Sequence, residues 1–324
     1  MTIPPGSRPG LQEVRDAAQR LRGVVLETPV KTSAVLDRMV DASLFFKCEN
    51  LQVTGAFKAR GAANAVLATD ERVIASGVAT HSSGNHGAAL AWAATLRGVP
   101  AYVVVPRDAS PFKRDAIVRQ GARLIECGPT LADRESALAD VVAATGAHVI
   151  PPYDDARIIA GQGTAALELI EQVPSLDTIV APVGGGGMIC GTLLAATPLG
   201  IEVNGAEPEL AGDAAAAMQS GIRQPQMPPV SIADGLRTNL GELNFAICQD
   251  HGLRIILVTE DEIRIAQTEL MRELAMPVET SSAVTFAAVK KSGLRGRIGL
   301  MLTGGNIPFQ EPHTEARHTK KGDS

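Results

Sequence analysis

Lys58 lies in the run Thr54-Gly55-Ala56-Phe57-Lys58-Ala59-Arg60-Gly61. Its flanking glycines let the backbone turn tightly. A lysine held there beside Phe57 can shed water from its amine and stand neutral. A neutral amine adds to an aldehyde to give a Schiff base, which an ammonium does not. Most lysines are solvated surface charges, so this segment needs supporting chemistry elsewhere in the chain. Val183-Gly184-Gly185-Gly186-Gly187 supplies part of it, lying between the β-branched run Thr178–Pro182 and an apolar, helix-capable stretch from Met188. Four glycines let backbone N–H groups converge with no side chain in the way, and the helix behind adds its positive end, which suits a phosphate. His81-Ser82-Ser83-Gly84-Asn85-His86-Gly87 opens another helix, and its Ser and Asn donors suit a carboxylate. His86 is a candidate base, although a loop histidine more often serves structure. A last polar tip, Thr303-Gly304-Gly305-Asn306, closes a strand near the end.

The elements that would position these groups alternate. Strands are predicted at Leu44–Cys48, Val78–Thr80, Ala101–Val105, Arg123–Glu126, Thr178–Pro182, Glu202–Ala206, Ile255–Val258 and Ile298–Leu302. Helices are predicted at Phe57–Leu67, Asn85–Arg97, Pro111–Gln120, Leu131–Thr145, Arg157–Gln172, Asp261–Leu274 and Ser282–Lys291. Strands apolar throughout, such as Tyr102–Val105, fit parallel sheets covered on both faces. The class is α/β, in which ligands sit at the carboxyl ends of strands. Ile150-Pro151-Pro152-Tyr153-Asp154-Asp155 breaks the rhythm and reads as a domain crossing, and Gln224–Pro229 reads as an exposed loop.

The 324 residues, 45% apolar and 20% charged, suffice for two cores. A net charge of −5 without a long basic run outside the tail argues against nucleic acid. No stretch reaches the roughly 18 uninterrupted apolar residues of a membrane span, and the start lacks a secretory pattern. Cys48, Cys127, Cys190 and Cys248 show no metal or disulfide spacing and read as reduced, buried small hydrophobes. A cytoplasmic protein is expected, with a polar tail from Gln310 to Ser324 that is disordered or an expression remnant.

Together, Gly-Ala-Phe-Lys58-Ala-Arg-Gly, Ser-Ser-Gly-Asn-His-Gly, Ile159-Ala160-Gly161-Gln162-Gly163-Thr164, the tetraglycine, Ala233-Asp234-Gly235, Val278-Glu279-Thr280 and Thr-Gly-Gly-Asn306 resemble the fold type II pyridoxal 5′-phosphate enzymes. Within these, the resemblance is to the threonine/serine dehydratase and serine racemase group. It implies two doubly wound open sheets, with a small mobile domain at 77–152 inserted in a large one formed by 1–67 and 154–309. It implies a Schiff base at Lys58, the phosphate on Gly184 to Gly187 and Met188, Phe57 and Glu279 near the ring, Asn85 on the ring hydroxyl and Thr303 beside the pyridine nitrogen. A neutral hydroxyl does not keep that nitrogen protonated as a carboxylate would, so the ring is a weaker electron sink and elimination is favoured over transamination.

By the same resemblance, Ser82, Ser83, Asn85 and His86 receive the substrate carboxylate, while Arg134 and Thr238 face its side chain. Ser83 stands where racemases carry a second acid/base opposite the lysine. Glu207, the Ala211 carbonyl and Asp213 match a divalent cation site whose oxygen ligands suit Mg²⁺, Ca²⁺ or Mn²⁺. The implied activity is dehydration of threonine/serine or 3-hydroxyaspartate to a 2-oxo acid and ammonia, by a homodimer. The alternative is a serine racemase using Lys58 and Ser83. Ala88 replaces a nucleotide-contacting Gln of animal racemases, so ATP activation is not expected. Nor is isoleucine feedback, since one catalytic unit fills the chain.

Overall fold

The computed structural model describes residues 8–228 and 230–308, so the expected polar tail lies outside the described residues. Its ten strands are β1 (Val30–Lys31), β2 (Ser43–Lys47), β3 (Val78–His81), β4 (Ala101–Pro106), β5 (Arg123–Cys127), β6 (His148–Val149), β7 (Thr178–Pro182), β8 (Glu202–Pro208), β9 (Arg254–Val258) and β10 (Arg297–Met301). They form a six-stranded sheet in the order β1-β2-β10-β7-β8-β9 and a four-stranded sheet in the order β5-β4-β3-β6. The small sheet is parallel throughout, and in the large one β1 alone runs antiparallel, against β2. The α/β class with two open sheets is as expected. All eight predicted strands are present within two residues of their predicted ends. The two that were not predicted, β1 and β6, have two residues each and no pattern to read.

Both faces of the large sheet are buried, which explains its uniformly apolar strands. In β7, Ile179 and Ala181 enter one core with Ile159, Leu169 and Leu193, while Val180 enters the opposite one with Phe46, Phe286 and Ile298. In the small sheet Val103 and Val105 pack with Ile117, and Val78 packs with Ile74 and Leu90. None of the described helices is long and apolar enough to cross a membrane.

Three helices meet backbone to backbone through glycines: Lys58–Ala68, Ala156–Gln172 and Gly187–Ala196. A Cβ on Gly161 would lie 2.7 Å from the Gly61 Cα, and one on Gly191 would lie 2.4 Å from the Gly163 nitrogen. No side chain fits in either seam. Lys58 heads the first of these helices and Gly187 the last. The seams therefore set the distance between the lysine and the tetraglycine turn.

Candidate active site

The turns beyond the carboxyl ends of β2, β3, β7 and β10 carry Lys58, Ser82 to Asn85, the tetraglycine and Thr303. Lys58 follows a kinked turn in which Thr54 and Gly55 have φ of +66° and +73°. A Cβ at Gly55 would collide with Asn306 Oδ1 at 2.2 Å, so glycine is required there. Ala56 bridges to Gly304, and the Phe57 amide donates to the Thr303 carbonyl at 2.9 Å, which ties the lysine turn to the tip of β10.

A buried ion cluster anchors the same helix from beneath. Arg60 Nε and Nη2 donate to the Glu49 carboxylate at 2.7 and 2.8 Å, while Nη1 and Nη2 each donate to Glu168 at 2.7 Å. Lys47 Nζ donates to Glu168 at 2.8 Å and to Gln172 Oε1 at 2.9 Å. Arg60, Glu49 and Lys47 are fully buried, so every charge depends on its partner.

The Lys58 side chain is half-buried, with Nζ 5.0 Å from the Phe57 ring centroid and donating to the Pro152 carbonyl at 2.7 Å. Surrounding protein brings its pKa down to about 8. The acceptor is a neutral carbonyl, so nothing restores the charge as a carboxylate would. The sequence reading of a desolvated lysine agrees with this environment.

Gly184 to Gly187 cross from β7 into the helix Gly187–Ala196. A Cβ on Gly185 would meet the Tyr153 ring at 2.2 Å, and one on Gly186, with φ +102°, would meet Asn244 Cβ at 2.6 Å. The turn thus presents bare backbone, and the first amides of the helix, including Met188, lack intrahelical acceptors. This suits a phosphate.

Asn85 heads the helix Asn85–Thr95 beyond β3, with Ser82, Ser83 and Gly84 as the preceding turn. Asn85 Nδ2 donates to both Glu279 oxygens, at 3.0 and 3.1 Å, and its Oδ1 accepts from Asn306 Nδ2 at 2.8 Å. Burial pushes Glu279 up to about 7, against the pull of the Asn85 amide and of the Asn306 N–H. The Thr303 hydroxyl is buried, 3.1 Å from Ser282 Oγ. These contacts join the turn after β3, in the small sheet, to the tips of the large one. Lys113 and Asp234 pair between the two parts as well.

His86 stands apart from its expected place on a ligand. Its ring is buried, with Nε2 on the Ile150 carbonyl at 3.1 Å. Burial first, and then the Lys58 charge, press its pKa down to about 3. The ring is neutral and is no acid at neutral pH. Arg134 lies near His81 and Cys127 at the end of the small sheet, with Nη2 on the Pro129 carbonyl at 3.0 Å. Thr238 is half-buried in the loop after Arg237, whose Nε turns away to the Ser231 carbonyl at 2.6 Å.

Three contributors were not among the predicted site residues. Tyr153 covers the tetraglycine turn, Asp154 accepts the Glu242 and Leu243 amides at 2.9 and 3.1 Å, and Asn244 donates to the Gly185 carbonyl at 2.8 Å. The stretch expected to mark a domain crossing therefore also builds the site. The aspartate signal was readable in part: Asp155 is the N-cap of the helix Ala156–Gln172, as an Asp before a helix suggests.

The profile described as "Pyridoxal-phosphate dependent enzyme" matches residues 21–304. The chain is 44% identical over 308 residues to the beta-hydroxyaspartate dehydratase of Paracoccus denitrificans, covering 94% of this chain and 98% of that one. It is 43% identical over 306 residues to the serine racemase of Dictyostelium discoideum, covering 92% and 94%. The crystal structure of that racemase superimposes with a TM-score of 0.89 at 42% identity, covering 94% of this chain and 100% of the other. A buried lysine amine, a bare glycine cradle and a hydroxyl at the tip of β10 fit the group that this family carries. On that match, spanning most of its length, the chain belongs to the pyridoxal-phosphate-dependent enzymes of fold type II.

Proposed function

We propose that the protein eliminates water from a β-hydroxy-α-amino acid, and that the released enamine is hydrolysed by water to a 2-oxo acid and ammonia. The observation that carries this is the Lys58 amine, desolvated to a pKa of about 8 at the head of a helix locked to the tetraglycine helix. Pyridoxal phosphate bound at Lys58 would supply the electron sink for the substrate Cα. Gly184 to Gly187 and Met188 would hold its phosphate, with Phe57, Asn85, Glu279 and Thr303 around its ring. Ser82, Ser83 and the amides at the head of the helix Asn85–Thr95 hold the substrate carboxylate, fixing the orientation of Cα. Lys58 Nζ, freed from covalent attachment, removes the Cα proton, and the Pro152 carbonyl receives one of its N–H groups. Arg134 and Thr238 face the substrate side chain, where an arginine favours a second carboxylate. The dehydratase relative, named for hydroxyaspartate, supports that substrate class.

The half-buried Ser83 hydroxyl and the racemase relative favour a second activity, return of a proton to Cα from the face opposite Lys58. The test is a panel of L- and D-hydroxyamino acids, assayed for 2-oxo acid by a coupled reductase and for enantiomer by chiral chromatography. Elimination should dominate. Ser83→Ala should lower racemisation at least about a hundredfold, the low end of what one general acid contributes, and leave elimination the larger rate. Racemisation and elimination both unchanged in that variant would remove Ser83 from the mechanism.

We also place a divalent cation on Glu207, Asp213 and the Ala211 carbonyl. Both carboxylates are buried, and Glu207 accepts the Ala214 and Ala215 amides at 2.9 Å each. Burial and mutual repulsion push Glu207 up to about 9, burial drives Asp213 up to about 6, and Asp213 Oδ1 has no protein partner. A cation would let both ionise. Among the described residues no three Asp, Glu, His or Cys side chains are grouped so as to hold a metal, so the carbonyl and waters would complete the shell, as suits Mg²⁺. EDTA should lower the melting temperature and Mg²⁺ should restore it. A melting curve indifferent to both would dismiss the site. The reading extends to a homodimer in the cytoplasm, with a small domain at 77–152 set in a large one.

A further inference from the structure

Asn244 is fully buried beneath the tetraglycine turn and performs no step assigned above. Its Nδ2 donates to the Gly185 carbonyl at 2.8 Å and reaches the Tyr153 carbonyl at 3.3 Å. Two carbonyl oxygens fix which end of the amide faces them, since Nδ2 alone can donate. The Gly241 amide donates to the same Gly185 carbonyl at 3.2 Å, so that oxygen is held by two donors. A trans peptide is planar, with its C=O and N–H on opposite sides. Pinning the Gly185 oxygen toward Asn244 therefore turns the Gly186 N–H to the side away from Asn244. The conformation that results is the φ of +102° at Gly186, which glycine alone adopts readily. Gly186 and Asn244 also interlock, because a Cβ on Gly186 would lie 2.6 Å from Asn244 Cβ.

Asn244 is in turn held by its own helix. Asp154 Oδ1 accepts the amides of Leu243 and Asn244 at 3.1 and 3.3 Å, and the Asn244 carbonyl accepts from Cys190 Sγ at 3.3 Å. Asn244 Oδ1 has no protein partner, so the side chain acts through its donor end.

The geometry points to Asn244 as a positioning residue that orients the Gly185–Gly186 peptide, so that the turn presents an N–H rather than a carbonyl to a phosphate. This rests on the reading that the tetraglycine turn holds the cofactor phosphate. The apo-protein is titrated with pyridoxal 5′-phosphate and, separately, with pyridoxal, which lacks the phosphate, and binding is followed by absorbance. Asn244→Ala should weaken pyridoxal phosphate at least about tenfold, the order of effect of one orienting hydrogen bond, and leave pyridoxal affinity within about twofold. Asn244→Asp, the same size but with an acceptor facing two carbonyls, should weaken pyridoxal phosphate further. Inorganic phosphate should raise the melting temperature of the wild-type apo-protein and not that of either variant. A merely structural role would weaken both vitamers alike, and that result overturns the proposal, as does wild-type phosphate affinity in the variants. If Asn244→Ala does not fold, the isosteric Asp variant carries the test. Failure of the wild-type protein itself to bind pyridoxal phosphate would overturn the underlying reading instead.

Discussion

Lys58→Ala protein, mixed with pyridoxal phosphate, develops no borohydride-sensitive visible absorbance and loses at least about a thousandfold in elimination rate. That magnitude is expected because one side chain supplies both the covalent attachment and the base. The wild-type apo-protein should react with the cofactor aldehyde at a rate that rises with pH and levels off above about 8, where burial places the amine. The sign follows from the chemistry: the neutral amine reacts, and its fraction grows as the pH passes the pKa from below. A solvated lysine would still be gaining reactivity well above that pH. A rate that climbs without levelling toward pH 10 would show that the amine is not desolvated, and retention of the absorbance in Lys58→Ala would move the attachment elsewhere.

The second large effect is on stability. Arg60→Met leaves the Glu49 carboxylate buried without its cation and removes the link to Glu168. Stripping one partner from a buried pair costs about 3–5 kcal/mol, because the remaining charge has neither water nor a counterion. Chemical denaturation of the apo-protein should show a loss of that size. Adding Glu49→Gln to Arg60→Met should recover part of it, since the double variant strands one fewer charge. A loss below about 1 kcal/mol in the single variant would mean that water reaches Glu49. The cluster lies two residues beyond Lys58 on the same helix, so the denaturation measurement also reports how firmly the reactive amine is mounted.

Much of this site was readable before the fold was known, for a physical reason. Four consecutive glycines between an apolar run and a helix, and a lysine between glycines, are local patterns whose meaning lies in the backbone they permit. The strands were legible because both faces are buried, as the opposite destinations of Ile179 and Val180 show. Asn244 was not, because its partner Gly185 lies 59 residues away and an asparagine inside a helix announces nothing. Arg60 and Glu168 are 108 residues apart, and only the packing of two helices makes them a pair. The first helix, Leu11–Leu21, was not predicted, although the spacing of Val14, Ala17 and Leu21 gives it a clear apolar face. His86 differs. A titratable ring in a polar loop suggests a base, and burial against Ile150 leaves a weakly basic ring held on a carbonyl.

The glycine seams bear on how this enzyme can change. Gly61 with Gly161 and Gly163 with Gly191 leave no compressible layer between the helices, so a single added methyl shifts whole helices rather than one side chain. Change in these three helices is thereby confined to positions outside the glycine contacts. A mutagenesis library spread evenly over the chain would tolerate few substitutions at Gly61, Gly161, Gly163 and Gly191, even conservative ones to alanine.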